Sequence, residues 1–196
     1  MGSEMCIRDS HSATHLLHAA LKQVLGNHVQ QKGSLVGPSK LRFDFSHKKA
    51  VTYEELIQIE NIVNEKIATN ANTQTEIMNL DDAIALGAEA MFDEKYENEV
   101  RVLSMADNFS VELCGGTHVN KLGEIETLII TSESSVSSGV RRIEALVGKP
   151  ASDLIKHSLE NLNELKEKLK VSEDQLSSRI DVPVSYTHLT LPTTPY

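Results

Sequence analysis

Residues 29–45, VQQKGSLVGPSKLRFDF, give the clearest indication of fold in this 196-residue chain. A Gly-Pro-Ser turn at residues 37–39 separates two short extended stretches, as in a β-hairpin. In the second stretch Leu41, Phe43 and Phe45 alternate with charged residues, so one side of the strand is predicted to pack and the other to meet solvent. We therefore predict a two-stranded antiparallel unit with one buried face.

Helical patterns flank this hairpin. Apolar residues recur at helical spacing over residues 11–25 and stop at Gly26. Thr52 and Glu55 form a capping box that opens a second helix, which runs toward about Asn70. Further short strands are predicted at residues 75–78, 100–105, 109–113, 126–130 and 139–147, with a small helix at 81–86. The predicted fold class is α+β, a two-layer sandwich of helices on a mostly antiparallel sheet, followed by a C-terminal amphipathic helical segment.

The ends of the chain differ in composition from its middle. Residues 1–10 lack periodicity, and residues 183–196 contain three prolines among repeated threonines, so both ends are expected to be disordered tails that resemble foreign flanks. From residue 151 an apolar stripe runs among Lys and Glu side chains, which predicts an amphipathic helical hairpin or linker. The predicted organisation is a tail at 1–10, a folded domain at 11–149, a helical linker at 150–181 and a second tail at 182–196.

Composition narrows the class of protein. The 28 acidic side chains outnumber the 19 basic ones and give a net charge of −9, which excludes a general nucleic-acid binder, so a polyanionic partner must be held by local patches. The two cysteines exclude a disulfide scaffold. No apolar run approaches the roughly 18 residues that cross a bilayer, and the start of the chain lacks a secretory signal, so we expect a cytoplasmic protein without a membrane partner.

Two motifs carry metal-binding chemistry. His11 and His15 lie four positions apart, which on a helix puts both imidazoles on one face. Residues 114–118, CGGTH, add Cys114 and His118 on a glycine turn. Together the motifs offer three imidazoles and one thiolate, a set of donors that favours tetrahedral zinc.

Neighbouring residues limit this interpretation. His18 lies one turn beyond the helical pair, where it either joins the set or forms a polar edge of the helix. Ser12 occupies the position at which a zinc metalloprotease carries its glutamate base, which excludes that class. A lone His-x-x-x-His arises by chance as surface or capping histidines, so it is the second motif that favours a metal site.

Four segments of the chain together resemble the editing domain of alanyl-tRNA synthetases. They are HSATHLLHAALKQVLGNHVQQKGSLV at residues 11–36, LRFDFSH at 41–47, CGGTHV at 114–119 and SSGVRRIEALVG at 137–148. They occur in the family's order. Threonyl-tRNA synthetases carry a related pair of zinc ligands, but CGGTH and LRFDFSH favour the alanyl group.

The resemblance implies roles for individual residues. Four side chains would hold zinc: His11, His15, Cys114 and His118. Four residues would take part in catalysis, the glycines through backbone N–H groups facing an oxyanion: Gln31, Gly115, Gly116 and Thr117. Lys32 and Ser34 would contact the substrate, and Arg42 is added as a substrate contact because basic side chains could form a rim at the mouth of the site. The plainer alternatives are solvent-facing strand residues and glycines that only permit a tight turn.

The implied activity is hydrolysis of the ester in seryl- or glycyl-tRNA made in error on the alanine tRNA, whose 3′ acceptor end is an expected partner. An alanine pocket rejects serine by only about 10²-fold, whereas a second pocket that hydrogen-bonds the serine hydroxyl reaches about 10⁴-fold. Residues that could activate alanine are absent from the sequence, so the rest of a synthetase chain is the other expected partner. Four protein ligands leave the role of zinc open between binding water or substrate and fixing the pocket.

Two other functions compete with this one. One alternative is a zinc-stabilised tRNA-docking module without independent activity. The other, which fits the motifs less well, is an unrelated zinc hydrolase of small esters.

An acidic stretch near the middle of the chain is interpreted as a solvated loop: Glu89, Asp93, Glu94, Glu97 and Glu99.

Overall fold

A computed structural model describes the chain over residues 2–38, 40–89 and 98–180, with side chains from residue 7 onward. The helices are α1 Gly2–Leu25, α2 Tyr53–Ala68, α3 Leu80–Ala85, α4 Lys149–Leu169 and α5 Leu176–Ile180. The strands are β1 Gln31–Val36, β2 Leu41–Ser46, β3 Gln74–Asn79, β4 Glu99–Met105, β5 Ser110–Leu113, β6 Leu128–Ser137 and β7 Val140–Val147. The chain divides into two compact units, residues 1–153 and 154–196.

The strands form two antiparallel sheets, and the α+β fold class is confirmed. One sheet has the order β1-β2-β7-β6 and the other has the order β3-β4-β5. The predicted hairpin is β1 and β2, and the Gly37 N–H closes its turn by donating to the Lys40 carbonyl (3.0 Å). Leu41, Phe43 and Phe45 are fully buried, as their alternation predicted.

Helix α1 lies at the centre of the larger core. Five of its apolar side chains are fully buried and pack with the hairpin phenylalanines and with α2: Ala13, Leu16, Leu17, Ala20 and Leu21. Ser12, His15 and His18 are among the polar residues of the same helix that are also buried. Because buried polar groups need hydrogen-bond partners, this polar stripe requires an interior polar neighbour.

Helix α2 begins at the predicted capping box. The Glu55 N–H donates to Thr52 Oγ1 (3.2 Å), and the Thr52 N–H donates to Glu55 Oε2 (2.8 Å). Further along, the Asn64 side chain donates to the Leu128 carbonyl (2.8 Å) and accepts from the Leu128 N–H (2.9 Å). These bonds occupy backbone groups of β6, which is the edge strand of its sheet.

Two elements extend much further than the sequence predicted, each by seven residues or more past one end. Helix α1 starts at Gly2, so residues 2–10 are helical where we expected a disordered tail. No glycine or proline interrupts residues 3–10, and extending an existing helix costs far less than nucleating one. Strand β6 continues to Ser137, seven positions past its predicted end, because β7 pairs with it as far as that residue. The predicted tail at 182–196 lies outside the described residues.

The C-terminal segment has the predicted break. Helix α4 ends at Leu169, and Lys170 follows in the left-handed region with φ 54°. Ser172 and Gln175 then form the expected capping box before α5. The assignment of residues 150–181 as a linker stays a prediction. None of the helices in the described ranges is both long and apolar enough to span a membrane.

Candidate metal centre

The four predicted ligands converge although they are far apart in the sequence. His11 and His15 project from α1, Cys114 directly follows β5, and His118 lies in the loop after it. One donor atom from each of the four residues lies within 4.8 Å of every other. Cys114 Sγ is 3.5 Å from His11 Nε2, and the three imidazole rings have centroids 4.4–5.0 Å apart. The geometry therefore agrees with the predicted grouping of these side chains.

The CGGTH loop packs directly against α1. A Cβ atom on Gly116 would lie 2.3 Å from His11 Cε1, far inside contact distance, whereas a Cβ on Gly115 would meet no described atom within 4 Å. The carbonyl of Gly116 also accepts a hydrogen bond from the Arg101 guanidinium. The close approach of the loop to His11 thus requires a glycine at position 116. This supports the interpretation in which that glycine only permits a tight turn. The oxyanion role of both glycines stays a prediction.

Glu112 joins two imidazoles of α1 and was missed by the sequence analysis. Its Oε2 accepts from His15 Nδ1 (2.5 Å), and its Oε1 accepts from His18 Nδ1 (2.9 Å). All three residues are more than nine-tenths buried. A sequence signal existed: Glu112 and Cys114 lie two positions apart at a predicted strand, so their side chains share a face. His18 therefore binds Glu112 instead of joining the four ligands.

Charge within the cluster suits a cation. Burial acts to raise the pKa values of Glu112 and Cys114, but hydrogen bonds and charges of the neighbouring histidines hold both pKa values well below their ordinary range. Burial acts to lower the pKa of His15, but the Glu112 carboxylate and Cys114 together outweigh it and raise that pKa. Burial lowers the pKa of His118. The lowered pKa favours the thiolate form of Cys114, which is the form of cysteine that binds metals.

The donor atoms that face the centre of the cluster lack other partners. His15 Nε2 and His118 Nε2 are both buried and have no hydrogen-bond partner among the described residues. His118 Nδ1 lies 3.5 Å from Ser12 Oγ. Ser12 in turn accepts from the Val119 N–H (3.0 Å), which fixes the loop to α1. Because orphaned buried nitrogens are costly and this donor set is one that zinc prefers, the residues fit a zinc ion.

The predicted strand residues lie on β1. Gln31 and Ser34 are paired with Phe45 and Phe43 across the hairpin, so both lie on the side of the sheet that those buried phenylalanines share. Gln31 Nε2 donates to Ser34 Oγ (3.2 Å). Lys32 lies in a bulge between these positions and is exposed. Its Nζ donates to Gln30 Oε1 (3.4 Å).

Arg42 lies on the other side of the sheet. In β2 it alternates with Phe43, whose ring packs 5.3 Å from the His18 ring of α1, so the Arg42 side chain points away from that helix. Its guanidinium lies 3.7 Å from the Asp44 carboxylate. Strand alternation therefore separates Arg42 from the histidines, and its contact with the substrate stays a prediction. Thr117 is exposed in the CGGTH loop between Gly116 and the fourth ligand.

The acidic stretch is only partly a solvated loop. Glu89 accepts from Lys22 and lies 3.6 Å from His18 Nε2, so it belongs to the surroundings of α1. Glu99 is exposed at the start of β4. The other three acidic residues of the predicted loop, Asp93, Glu94 and Glu97, lie outside the described residues.

Comparison with known proteins gives these features a family context. Residues 100–144 match the family model described as "Threonyl and Alanyl tRNA synthetase second additional domain". The chain is 55% identical over 172 residues to the alanine–tRNA ligase of Saccharophagus degradans, which is 88% of this chain and 20% of that protein. It is 56% identical over 178 residues to the alanine–tRNA ligase of Sphingopyxis alaskensis, with 89% and 20% covered.

A third relative agrees with these two. The alanine–tRNA ligase of Acidithiobacillus ferridurans is 54% identical over 170 residues, covering 87% of this chain and 19% of that protein. The chain thus spans about a fifth of the length of the curated relatives it matches. The family match includes Cys114 and His118, and the similarity to the ligases extends over most of the chain. The chain therefore contains a region of the alanyl-tRNA synthetase editing-domain type, which confirms the resemblance indicated by its sequence motifs.

Proposed function

We propose that this region removes serine or glycine from mischarged alanine tRNA by hydrolysing the aminoacyl ester, with a zinc ion held by His11, His15, Cys114 and His118. The observation that carries the proposal is the convergence of these four donors, within 4.8 Å, in a chain similar to alanine–tRNA ligases over 88% of its length. The proposed partners are the 3′ acceptor end of that tRNA and the remainder of a synthetase chain, and the proposed location is the cytoplasm.

A physical need for such an activity supports the proposal. Serine differs from alanine by one hydroxyl group, and a pocket built for a methyl group discriminates against it by only about 10²-fold. A pocket that hydrogen-bonds the hydroxyl leaves its own polar group unpaired when alanine enters, and such a pocket rejects the analogue that lacks the hydroxyl by about 10⁴-fold. Selectivity for the wrong product therefore follows from one additional hydrogen bond.

The reaction requires an attacking water and stabilisation of negative charge. The water oxygen bonds to the ester carbonyl carbon, the bond from that carbon to the ribose oxygen breaks, and a water proton passes to the departing ribose oxygen. Backbone N–H groups of Gly115 and Gly116 would face the charge on the carbonyl oxygen. The Gln31 amide and the Ser34 hydroxyl would bind the ester or its terminal nucleoside. Bound zinc would supply either Lewis acidity or a fixed anchor for the pocket.

Deacylation assays test this function directly. The purified chain is incubated with seryl-tRNA and, separately, with alanyl-tRNA, both made on the alanine tRNA, and the release of amino acid is followed. We expect much faster release of serine, and Cys114→Ala should abolish the difference. Equal, slow release from both substrates, with tRNA still bound, would support a tRNA-docking module. Hydrolysis of simple esters without any selectivity for tRNA would instead indicate an unrelated zinc hydrolase.

A further inference from the structure

Glu112 occupies a position that the four-ligand description of the site leaves unexplained. In the α1 and β5 region, two rows of side chains face each other. His11, His15 and His18 follow one another along one face of α1, and Glu112 and Cys114 follow one another at β5. The two rows contact each other in order. Cys114 Sγ lies 3.5 Å from His11 Nε2, and Glu112 Oε2 accepts from His15 Nδ1 (2.5 Å).

The hydrogen bond from His15 determines which of its nitrogens can bind a metal. A carboxylate can only accept, so the proton on that ring must sit on Nδ1. A bound metal would therefore replace the proton on Nε2 and meet its lone pair, and Nε2 is the atom that is buried with no hydrogen-bond partner among the described residues. The contact therefore fixes both the tautomer and the rotation of the His15 ring, as carboxylates do for metal-binding histidines generally.

Burial makes the charge of Glu112 matter as well. The residue is 8% exposed, and both of its oxygens accept from imidazoles that are themselves buried. A divalent ion brings two positive charges into this interior, while Cys114 supplies one negative charge among the four ligands. The Glu112 carboxylate supplies a second, so a loaded site would be close to neutral. An uncompensated charge in such surroundings is strongly unfavourable.

We propose that Glu112 is a positioning residue of the metal centre, which orients His15 toward the ion and balances its second charge. His18 has a supporting part: it donates to Glu112 from the next turn of α1 (2.9 Å) and so holds the carboxylate in place. The inference rests on the metal-binding part of the proposed function, but it does not require the ester hydrolysis.

Zinc affinity in chelator competition is the first measurement. Glu112→Gln keeps an acceptor for His15 and removes the charge, whereas Glu112→Leu removes both. We expect zinc binding to weaken by about 10–100-fold in Glu112→Gln and by at least as much in Glu112→Leu. His18→Gln is expected to weaken zinc binding less, because His18 contacts the Glu112 carboxylate and is not one of the four ligands. Thermal unfolding of the metal-free variants establishes that each is folded.

Two further readouts separate positioning from general damage. The visible absorption of bound Co²⁺ reports ligand geometry, and ¹⁵N chemical shifts of the zinc-loaded protein report the tautomer of His15. Both should change in Glu112→Leu. The matched control is Glu133→Gln, because the Glu133 side chain is as little exposed as that of Glu112 (8% against 11%) and receives two hydrogen bonds from Arg141 (2.5 and 2.6 Å). This control should lose stability and keep its zinc affinity and both spectra.

The outcomes decide the inference without reference to catalysis. Zinc affinity within threefold of the wild type in folded Glu112→Gln and Glu112→Leu would overturn it, as would an equal loss in Glu133→Gln. If the wild-type chain binds zinc and Glu112 variants lose it, the inference stands even when no variant hydrolyses aminoacyl-tRNA. In that case it is the proposed function that fails.

Discussion

Substituting one of the two adjacent glycines in the CGGTH loop should damage metal binding, while substituting the other should not. In Gly116→Ala the new Cβ would lie 2.3 Å from His11 Cε1 and 2.8 Å from His11 Nδ1. An ordinary contact between carbon atoms needs about 3.5 Å, so the ring or the loop must move by about 1 Å. Zinc–ligand distances tolerate only about 0.2 Å. The expected consequence is loss of His11 as a ligand.

The size of the effect follows from the energy of a structural zinc site. Binding free energies of about 10–16 kcal/mol, divided among four ligands, assign about 2.5–4 kcal/mol to each. Losing one ligand therefore weakens zinc binding by roughly 10²–10³-fold, since each 1.4 kcal/mol is a factor of ten. Gly115→Ala serves as the matched control, because its Cβ would meet no described atom within 4 Å.

Competition with a chromophoric chelator measures both variants under identical conditions. Gly115→Ala should bind zinc as the wild type does, and Co²⁺ spectra should show an altered ligand set only in Gly116→Ala. Equal zinc affinities in the two alanine variants would refute the reasoning, because they would mean that the loop does not press against His11 in the metal-bound protein.

The remaining predictions concern stability. Arg142 donates two hydrogen bonds to Asp44 (2.7 and 2.8 Å), and these bonds hold the pKa of that carboxyl below its ordinary value. Asp44→Asn should therefore lower the free energy of unfolding by about 1–3 kcal/mol at pH 7. The difference from the wild type should shrink as the pH falls below about 4, because Asp44 becomes protonated as the pH passes through its lowered folded-state pKa. A pH-independent difference in urea unfolding would contradict this. Thr52→Ala removes the cap of α2 and should cost about 1 kcal/mol in the same assay, and no loss would show that the cap is dispensable. Free zinc at 100 times its Kd should stabilise the wild type by about 2.7 kcal/mol, and Cys114→Ala should lose most of this response in calorimetry.

Local sequence patterns predicted the hairpin, the α2 cap and the four ligands. Each of these depends on a short-range regularity: alternation at Leu41 and Phe43, the Thr52–Glu55 spacing, and histidines four apart on a helix. The approach of the CGGTH loop to α1 was inferred from the donor chemistry instead, because no local pattern specifies which distant segments meet. The structure agrees with that inference by bringing the four donors within 4.8 Å.

Predictions that depended on tertiary placement were less successful. Strand alternation puts Arg42 beside Asp44 and away from α1, a placement that its charge alone did not predict, and its substrate contact stays a prediction. The end of β6 was set where apolar residues stop, yet pairing with β7 carries the strand on to Ser137. Helix α1 starts earlier than its apolar pattern does, and propagation from a stable helix explains the difference.

The burial of α1 suggests how such a site can be recognised without a structure. A surface helix has one apolar stripe, and its polar face meets water. In α1, however, Ser12, Thr14, His15 and His18 are all at most 7% exposed, although they lie outside the apolar stripe. Polar side chains that are buried on a helix must find hydrogen-bond partners inside the protein: here Glu112 accepts from His15, and Ser12 accepts from the Val119 N–H directly after the CGGTH loop. The informative feature of residues 11–25 is therefore the histidine row beside a broad apolar stripe, whose members are all fully buried: Ala13, Leu16, Leu17, Ala20 and Leu21.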